Sequence, residues 1–539
     1  MVAILFVLGL AAVACGVGAE QAATRGTAPP SNQLVQGDER PQRGGRLVYG
    51  LIAETNGWNP STNQWGSSGL EVAHAIFDTL TAFDEDANVQ PLLAERIEST
   101  PDARTWTFVL RRGVSFSNGV PVTADAVARG QSYLRKSPVL ANIYGDVTAI
   151  TAQGADRVVF ELAKPWVQFP MLLATQIGVV ADPDWLESND SLAPVGTGPF
   201  VLDRWQIGSS LVVKRNDRYW QRDAAGEQMP YLDEIEFRVI TDSTARETAL
   251  ASRDIDVAQI NNGRQLQQLQ ASGRFQVYAD QKEQSETFVQ LNTMAPPFDD
   301  ADARRALAYA TDRQALIDHV LERANEQADN FEQPSSPWYA ESGYPGYDQA
   351  KARELVDTVK RRHGGVFRFD LAVVPDATNL EQLQFLQQQW ATVGIDATID
   401  AQDQAKLIIN VVTGNYQAVG WGQFDAPNPV LDTIWWDPDG AVAPPTFSLN
   451  FARYTSTALG DAIDGARAAP DRDTFAREMA TIQRELGAGI PYVWLYRNAI
   501  GVAADRRVVN LLDHRLPGGA VGLRLNQGFH PLSQVWLKR

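Results

Sequence analysis

The sequence predicts an α/β protein of more than one domain, and three observations predict it. Its 539 residues exceed what one hydrophobic core supports, so about two or three domains are expected. The first half carries short alternating runs closed by Gly turns, the pattern of β-hairpins. The second half alternates extended and helical patterns, which reads as helices laid on a sheet. Hydrophobic residues at 44% and charged residues at 21% are those of an ordinary globular chain.

The N-terminal stretch differs from the rest. Residues 2–13 are apolar, too short a run to span a bilayer comfortably, and read as the core of a signal segment. Cys15 follows and is the only cysteine, so neither an intramolecular disulfide nor a thiolate metal site is expected. Residues 16–43 mix Ala, Gly, Gln, Thr, Pro and charge without periodicity, the composition of a flexible tether.

Folded structure is expected from Gly44 onward. A strand over 46–50 comes first, then Val72, Ala73, Ile76, Phe77 and Leu80 space as a helix over 69–80. Residues 105–110 alternate as a strand, Asn118-Gly119 marks a turn, and Thr123 caps a helix to 135. Strands over 147–151 and 158–162 flank Gly154-Ala155-Asp156 as a hairpin. The turn Gly196-Thr197-Gly198-Pro199 opens a second hairpin, reversed at Gly208, and such glycines suit close approach to a ligand or a neighbouring strand. Ile235, Phe237 and Val239 alternate in a strand, and Asp242 caps a helix to 251. A strand over 286–291 leads to a helix capped by Asp299 or Asp300.

The second half continues with a helix over 348–363, stopped by Gly364-Gly365, and a strand over 366–374. An amphipathic helix over 379–393 precedes a strand starting at Gly394-Ile395-Asp396. A strand over 417–421, helices over 456–467 and 473–486, and a strand over 491–496 complete the pattern.

Catalytic and metal-binding signatures are absent from the sequence. It holds no G-x-S-x-G elbow, S-x-x-K pair, P-loop or H-E-x-x-H. The five histidines show no ligand spacing, so no metal and no cofactor is expected. A net charge of −18 argues against a nucleic-acid partner, which needs basic patches.

A binding constellation is better supported. Residues 416–436 place Trp421, Gly422, Phe424, Asp425, Trp435 and Trp436 around a Pro-rich polar loop, and ligand pockets combine aromatic walls with a few placed charges. The alternative is that these Trp residues are core and Asp425 is a turn cap. Arg453 suits either a ligand carboxylate, gripped through two N–H groups, or a surface or interlobe ion pair.

Several of these stretches resemble one family. PVGTGPFVLDRWQIGSSLVVKRNDRYW (194–220), GGRLVYGLIAETNGWNP from Gly44, the segment 91–127 and NTMAPPFDDADARRALAYATDRQALIDHVL from Asn292 are similar to extracellular solute-binding proteins of the oligopeptide, dipeptide and nickel class (family 5), which feed ABC importers. The resemblance implies a bilobed, periplasmic-binding-protein-like clamshell of type II, cluster C-like, with an extra accessory subdomain in the first lobe. Its implied divisions are a signal at 1–15, a tether at 16–43, lobe I at 44–284 with the subdomain about 75–190, lobe II at 285–493 and a return to lobe I at 494–539.

The resemblance also implies roles. Ala12-Val13-Ala14-Cys15-Gly16 resembles a lipobox, with Cys15 lipidated, although Ala12 replaces the usual Leu and no basic residue precedes the apolar run. Thr55, Asn56 and Trp58 match the first-lobe pocket loop, and Tyr496 a pocket tyrosine. Trp421 and Asp425 stand where peptide-binding members carry a Trp and an Asp that grips the peptide ammonium, here one residue further apart than usual. The implied partners are a peptide or other small solute and ABC permease subunits, with membrane contact through the lipid anchor alone and a monomeric chain. An oligosaccharide-binding protein, a surface peptide receptor or chaperone without a permease, and, least of all, a peptidase are the alternatives.

Overall fold

The structure, a computed structural model, describes residues 40–137, 140–141, 143–188, 190, 192–279, 285–375, 377–424, 426–526 and 528–539. Cys15 and Asp425 lie outside the described residues.

The strand Arg46–Leu51 sits at the centre of a seven-stranded sheet. It pairs in parallel with Glu234–Val239 on one side and Val257–Ile260 on the other. The expected hairpin, Phe200–Gln206 with Ser210–Arg215, extends one edge, and Gly501–Ala504 with Gln276–Ala279 the other. Leu47, Tyr49, Ile235 and Phe237 are fully buried because alternate strand residues share a face.

The first helix, Ser67–Ile76, is shorter than the expected 69–80 at its C-terminal end. Phe77 turns extended, and the cause is the turn at 196–199. A Cβ on Gly196 would lie 2.2 Å from the Ile76 carbonyl oxygen, and Gly198 N–H donates to that oxygen at 2.9 Å. The Thr197 hydroxyl accepts from Asp78 N–H at 3.1 Å. The two glycines therefore admit a neighbouring backbone.

A four-stranded antiparallel sheet stands apart, in the order Ala94–Ser99, Thr105–Leu110, Arg157–Leu162, Val147–Gln153. The helix Ala124–Arg135 packs on it, and Thr123 caps that helix by accepting from Ala126 N–H at 3.2 Å.

The second large sheet has six strands, in the order Glu326–Gln327, Tyr492–Asn498, Ser285–Leu291, Ala418–Phe424, Arg368–Val373, Asp396–Ala401. Helices Ala301–Ala310, Gln349–Arg362 and Ala377–Ala391 contribute Leu307, Val356 and Trp390 to a core against Val289 and Leu371. Asp300 and Asp348 cap the first two. Helices Gly263–Ser272 and Gln404–Thr413 and the strand Gln276–Ala279 were not anticipated. The first helix buries only Leu266 and Leu269 as large apolar groups, too thin a stripe to read among glutamines.

Two alternating sheets joined by a chain that crosses between them give the bilobed clamshell. One passage lies between Asn498, in the six-stranded sheet, and Gly501, in the seven-stranded one.

Candidate functional site between the lobes

The crossing strands carry a buried ion pair. Glu286 and Arg497 face each other in the antiparallel register, Oε1 to Nη1 at 2.6 Å, with both side chains only 2% exposed. Arg497 Nη2 also donates to the carbonyls of Asn330 and Glu332, each at 2.7 Å. Burial pushes the Glu332 carboxyl up to about 7, against the opposing pull of the Ser336 hydroxyl and Arg497. Beside the pair, Asn498 Nδ2 donates to Thr287 Oγ1 at 2.8 Å. These residues were not singled out from the sequence. The available signal was an acid and a guanidinium within strands that also carry Phe288, Val289 and Leu291, and Val493, Trp494 and Leu495.

Register then places the aromatic wall. Phe288 lies opposite Trp421 and Thr287 opposite Gly422, and opposite residues share a face of the sheet. Trp421 meets Phe451 edge-on, with ring centroids 5.8 Å apart at 72°, and Phe451 meets Trp435 at 5.5 Å. Trp421 and Trp435 are half-buried, and Gly422 is exposed. Trp435 ends the short helix Pro429–Trp435, capped by Asn428, whose Oδ1 accepts from Val430 N–H at 3.0 Å. Asp432 accepts from Ala426 N–H at 3.0 Å and so pins the chain immediately after position 425. Trp436 turns inward instead, 4% exposed and tilted at 39° against the Phe331 ring, with centroids 4.1 Å apart.

Two residues expected in the site are placed elsewhere. Arg453 is 1% exposed, and its guanidinium donates to five backbone carbonyls: Val411, Val412, Val442, Thr446 and Phe451. It is neither a surface ion pair nor open to a ligand carboxylate, because the loops around it need their carbonyls satisfied. Its effect on the wall is indirect: Arg453 and the Tyr416 hydroxyl both hold the Phe451 carbonyl, at 3.0 and 2.7 Å. Tyr496 is 5% exposed in the helix-covered core and donates to Gln382 Oε1 at 2.8 Å. Trp58 is 1% exposed, packs on Trp205 at 5.4 Å and lines a small pocket together with Thr55 of its own loop.

Thr55 and Asn56 do remain at the surface of the first sheet, half-buried and exposed respectively. Glu54 steadies their loop by accepting from Gly208 N–H at 2.9 Å across the hairpin tip. Thr55 and Asn56 thus stand on the first-sheet side, while Trp421, Gly422 and Trp435 stand on the second.

The region of the four-stranded sheet is tied directly to the helix Thr457–Ala468 through Arg467. Its Nη1 lies 3.0 Å from Asp437 and 3.5 Å from Asp146, and its Nη2 donates to Thr433 Oγ1 at 3.2 Å. The guanidinium covers the Trp166 ring at 4.9 Å, and the Arg467 carbonyl accepts from Val167 N–H at 2.7 Å. Lys164 adds an outer contact to Asp464 at 2.8 Å. Burial raises the Asp146 carboxyl, with Arg467 the main opposing influence. Asp146, Lys164, Trp166 and Val167 flank the strands Val147–Gln153 and Arg157–Leu162, and every partner lies within residues 433–467.

Comparison with known proteins agrees with this architecture. Residues 88–451 match the model for bacterial extracellular solute-binding proteins, family 5 Middle. The chain is 28% identical over 390 residues to the nickel-binding periplasmic protein of Escherichia coli K12, covering 67% of this chain and 72% of that protein. It is 30% identical over 352 residues to the glutathione-binding protein GsiB of Salmonella choleraesuis, covering 63% of this chain and 66% of that one. The fold is similar to the oligopeptide-binding protein AppA of Bacillus subtilis in complex with a nonapeptide, with a TM-score of 0.78, 21% identity, and coverage of 93% of this chain and 100% of that one. With the family model matched over more than half its length, this chain belongs to the bacterial extracellular solute-binding proteins of family 5.

Proposed function

We propose that this protein binds a peptide or peptide-like solute between its lobes, outside the cell, and hands it to an ABC importer. The observation that carries the reading is the half-exposed pair Trp421 and Trp435, joined through Phe451, beside the strands that cross between the lobes. Aromatic faces and an exposed Gly422 backbone suit a ligand with apolar side chains and amide groups. A relative named as a glutathione-binding protein, and a structural neighbour holding a nonapeptide, are compatible with that class. The aromatic pair also favours a second reading, an oligosaccharide stacked on the rings. Native mass spectrometry of the purified protein separates the two by the mass of what co-purifies.

Asp425 is proposed as the ammonium partner. A carboxylate in a poorly hydrated cleft gains a strong charge-assisted contact from a cationic group. Asp425→Asn is expected to weaken an unblocked peptide about a hundredfold, or about 2.7 kcal/mol. N-acetylation of the peptide should weaken wild-type binding to the same degree and the variant's much less, since both changes remove one contact. Calorimetry with free and acetylated peptide checks this. Equal wild-type affinity for both forms would reject the role and favour an uncharged ligand on Trp421 and Trp435.

Lipid anchoring is proposed through Cys15. Several acyl chains hold a protein firmly where one holds it marginally. Cys15→Ser is expected to move the protein from the membrane to the soluble fraction, and unchanged fractionation would exclude the anchor. The chain is proposed to act as a monomer and to catalyse nothing. Incubated peptides should keep their mass, whereas cleavage products would support the peptidase alternative.

A further inference from the structure

Strand alternation puts more than the aromatic wall on one face of the six-stranded sheet. Glu286 and Phe288 stand two residues apart on one strand, so both side chains project to the same side. Phe288 lies opposite Trp421 and Glu286 opposite Arg497, which brings the buried ion pair and the wall onto that side together. Glu332 joins them there. Its carbonyl accepts from Arg497 Nη2 at 2.7 Å, and its neighbour Phe331 sets its ring 4.1 Å from Trp436, the residue after Trp435.

The loop that carries Glu332 is held firmly. Gln483, fully buried on the helix Arg472–Gly489, accepts from Asn330 Nδ2 at 2.6 Å and from Ala340 N–H at 2.8 Å. Its Nε2 donates to the Trp338 carbonyl at 2.8 Å. Ser336 Oγ accepts from Trp338 N–H at 3.2 Å, which leaves its own proton for the Glu332 carboxylate. A side chain placed in advance loses little freedom when a ligand arrives.

Arg497 is one cation beside two carboxyl groups. Glu286 takes it at 2.6 Å, and among the described residues no Lys or Arg comes within ion-pair distance of Glu332. Its own loop offers none, because residues 324–350 hold no Lys or Arg. Glu332 is half-buried, recessed but still reached by solvent. When it is ionised, the recess carries one negative charge in excess. A poorly hydrated carboxylate gains most from a cationic partner that brings N–H donors.

Resting on the reading that a peptide lies against Trp421 and Trp435, we propose that Glu332 determines specificity by binding a basic side chain of the solute, an ammonium or a guanidinium. The protein then favours peptides that contain Lys or Arg. Asp425 has a different proposed partner, the terminal ammonium that every unblocked peptide carries.

Calorimetry on the full chain with Lys-Ala-Ala, Ala-Lys-Ala and Ala-Ala-Lys, each beside its norleucine counterpart, tests the assignment. Norleucine keeps the apolar stem of lysine and drops the charge. Lys should be favoured about tenfold or more at one of the three positions. The preference should be larger at pH 8 than at pH 6, because burial pushes the Glu332 carboxyl up to about 7 while the Lys ammonium stays charged throughout. The groups that face Glu332 are Arg497, with its partner Glu286, from the crossing strands and Ser336 from its own loop. Glu332→Gln should cut the preference to about twofold or less and remove its pH dependence. Asp425→Asn should weaken both peptides of a pair alike and leave the preference standing. Equal wild-type affinity for Lys and norleucine at every position, or a preference that survives Glu332→Gln, rejects this role and leaves the peptide reading in place. Binding of none of the six peptides rejects both.

Discussion

Glu286→Gln is expected to destabilise the folded chain by about 3–5 kcal/mol, the range for breaking a buried ion pair. Both side chains of the pair are 2% exposed, so solvent does not screen the loss. Arg497 keeps its carbonyl partners, but its charge stays in the protein without a carboxylate. Glu332 makes the effect depend on pH. Its folded pKa, about 7, lies above the ordinary carboxyl value, so the stability linked to its protonation is present below that ordinary value and lost as pH rises through 7. In the variant, an ionised Glu332 partly replaces the missing charge beside Arg497. The destabilisation should therefore be larger at pH 5.5 than at pH 8. Urea unfolding followed by tryptophan fluorescence at the two values measures it. A loss below about 1 kcal/mol, or the opposite order with pH, would show that the pair is not what secures the crossing strands.

Arg467→Ala is expected to weaken solute binding by about a hundredfold or more. The substitution removes the shared cation of Asp146 and Asp437, whose side chains are 17% and 23% exposed, together with the contact over Trp166. Stranding two partly buried carboxylates costs about 3 kcal/mol, and that cost falls only on the state in which the lobes touch. A conformation that binds solute but is less populated lowers apparent affinity by the same factor. Isothermal calorimetry of the variant checks the figure. Arg467→Lys should recover little, because an ammonium cannot meet two carboxylates and the Thr433 hydroxyl in one plane. Unchanged affinity in Arg467→Ala would mean that this tie does not distinguish the solute-bound form.

Local chemistry made much of the fold legible. Thr123, Asp242 and Asp300 each accept from a backbone N–H at the start of the helix they were expected to cap, because capping is decided within a few residues. The hairpin at Gly208 follows from its turn in the same way. The first helix ended early for a reason that lies over a hundred residues away, where Gly196 brings backbone against Ile76.

The site divides along the same line. Trp421, Gly422 and Trp435 were legible as part of an aromatic, Pro-rich loop, and the structure groups the two indoles through Phe451. Asp425 lies outside the described residues. Arg453 and Tyr496 lie away from the aromatic wall because residue type does not report burial: an Arg satisfied by five carbonyls reads in sequence like one awaiting a ligand. The Glu286–Arg497 and Asp146–Arg467 contacts join residues hundreds of positions apart, which no local pattern encodes.

Solute is expected to be held by lobes that close on it, since only differential affinity for the closed form can shift that equilibrium. Small-angle scattering of solute-stripped protein, before and after addition of the co-purifying solute, tests it most directly. The radius of gyration should fall on saturation in the wild type and fall less in Arg467→Ala. Tight binding with superimposable scattering curves in both proteins would contradict closure as the means of capture.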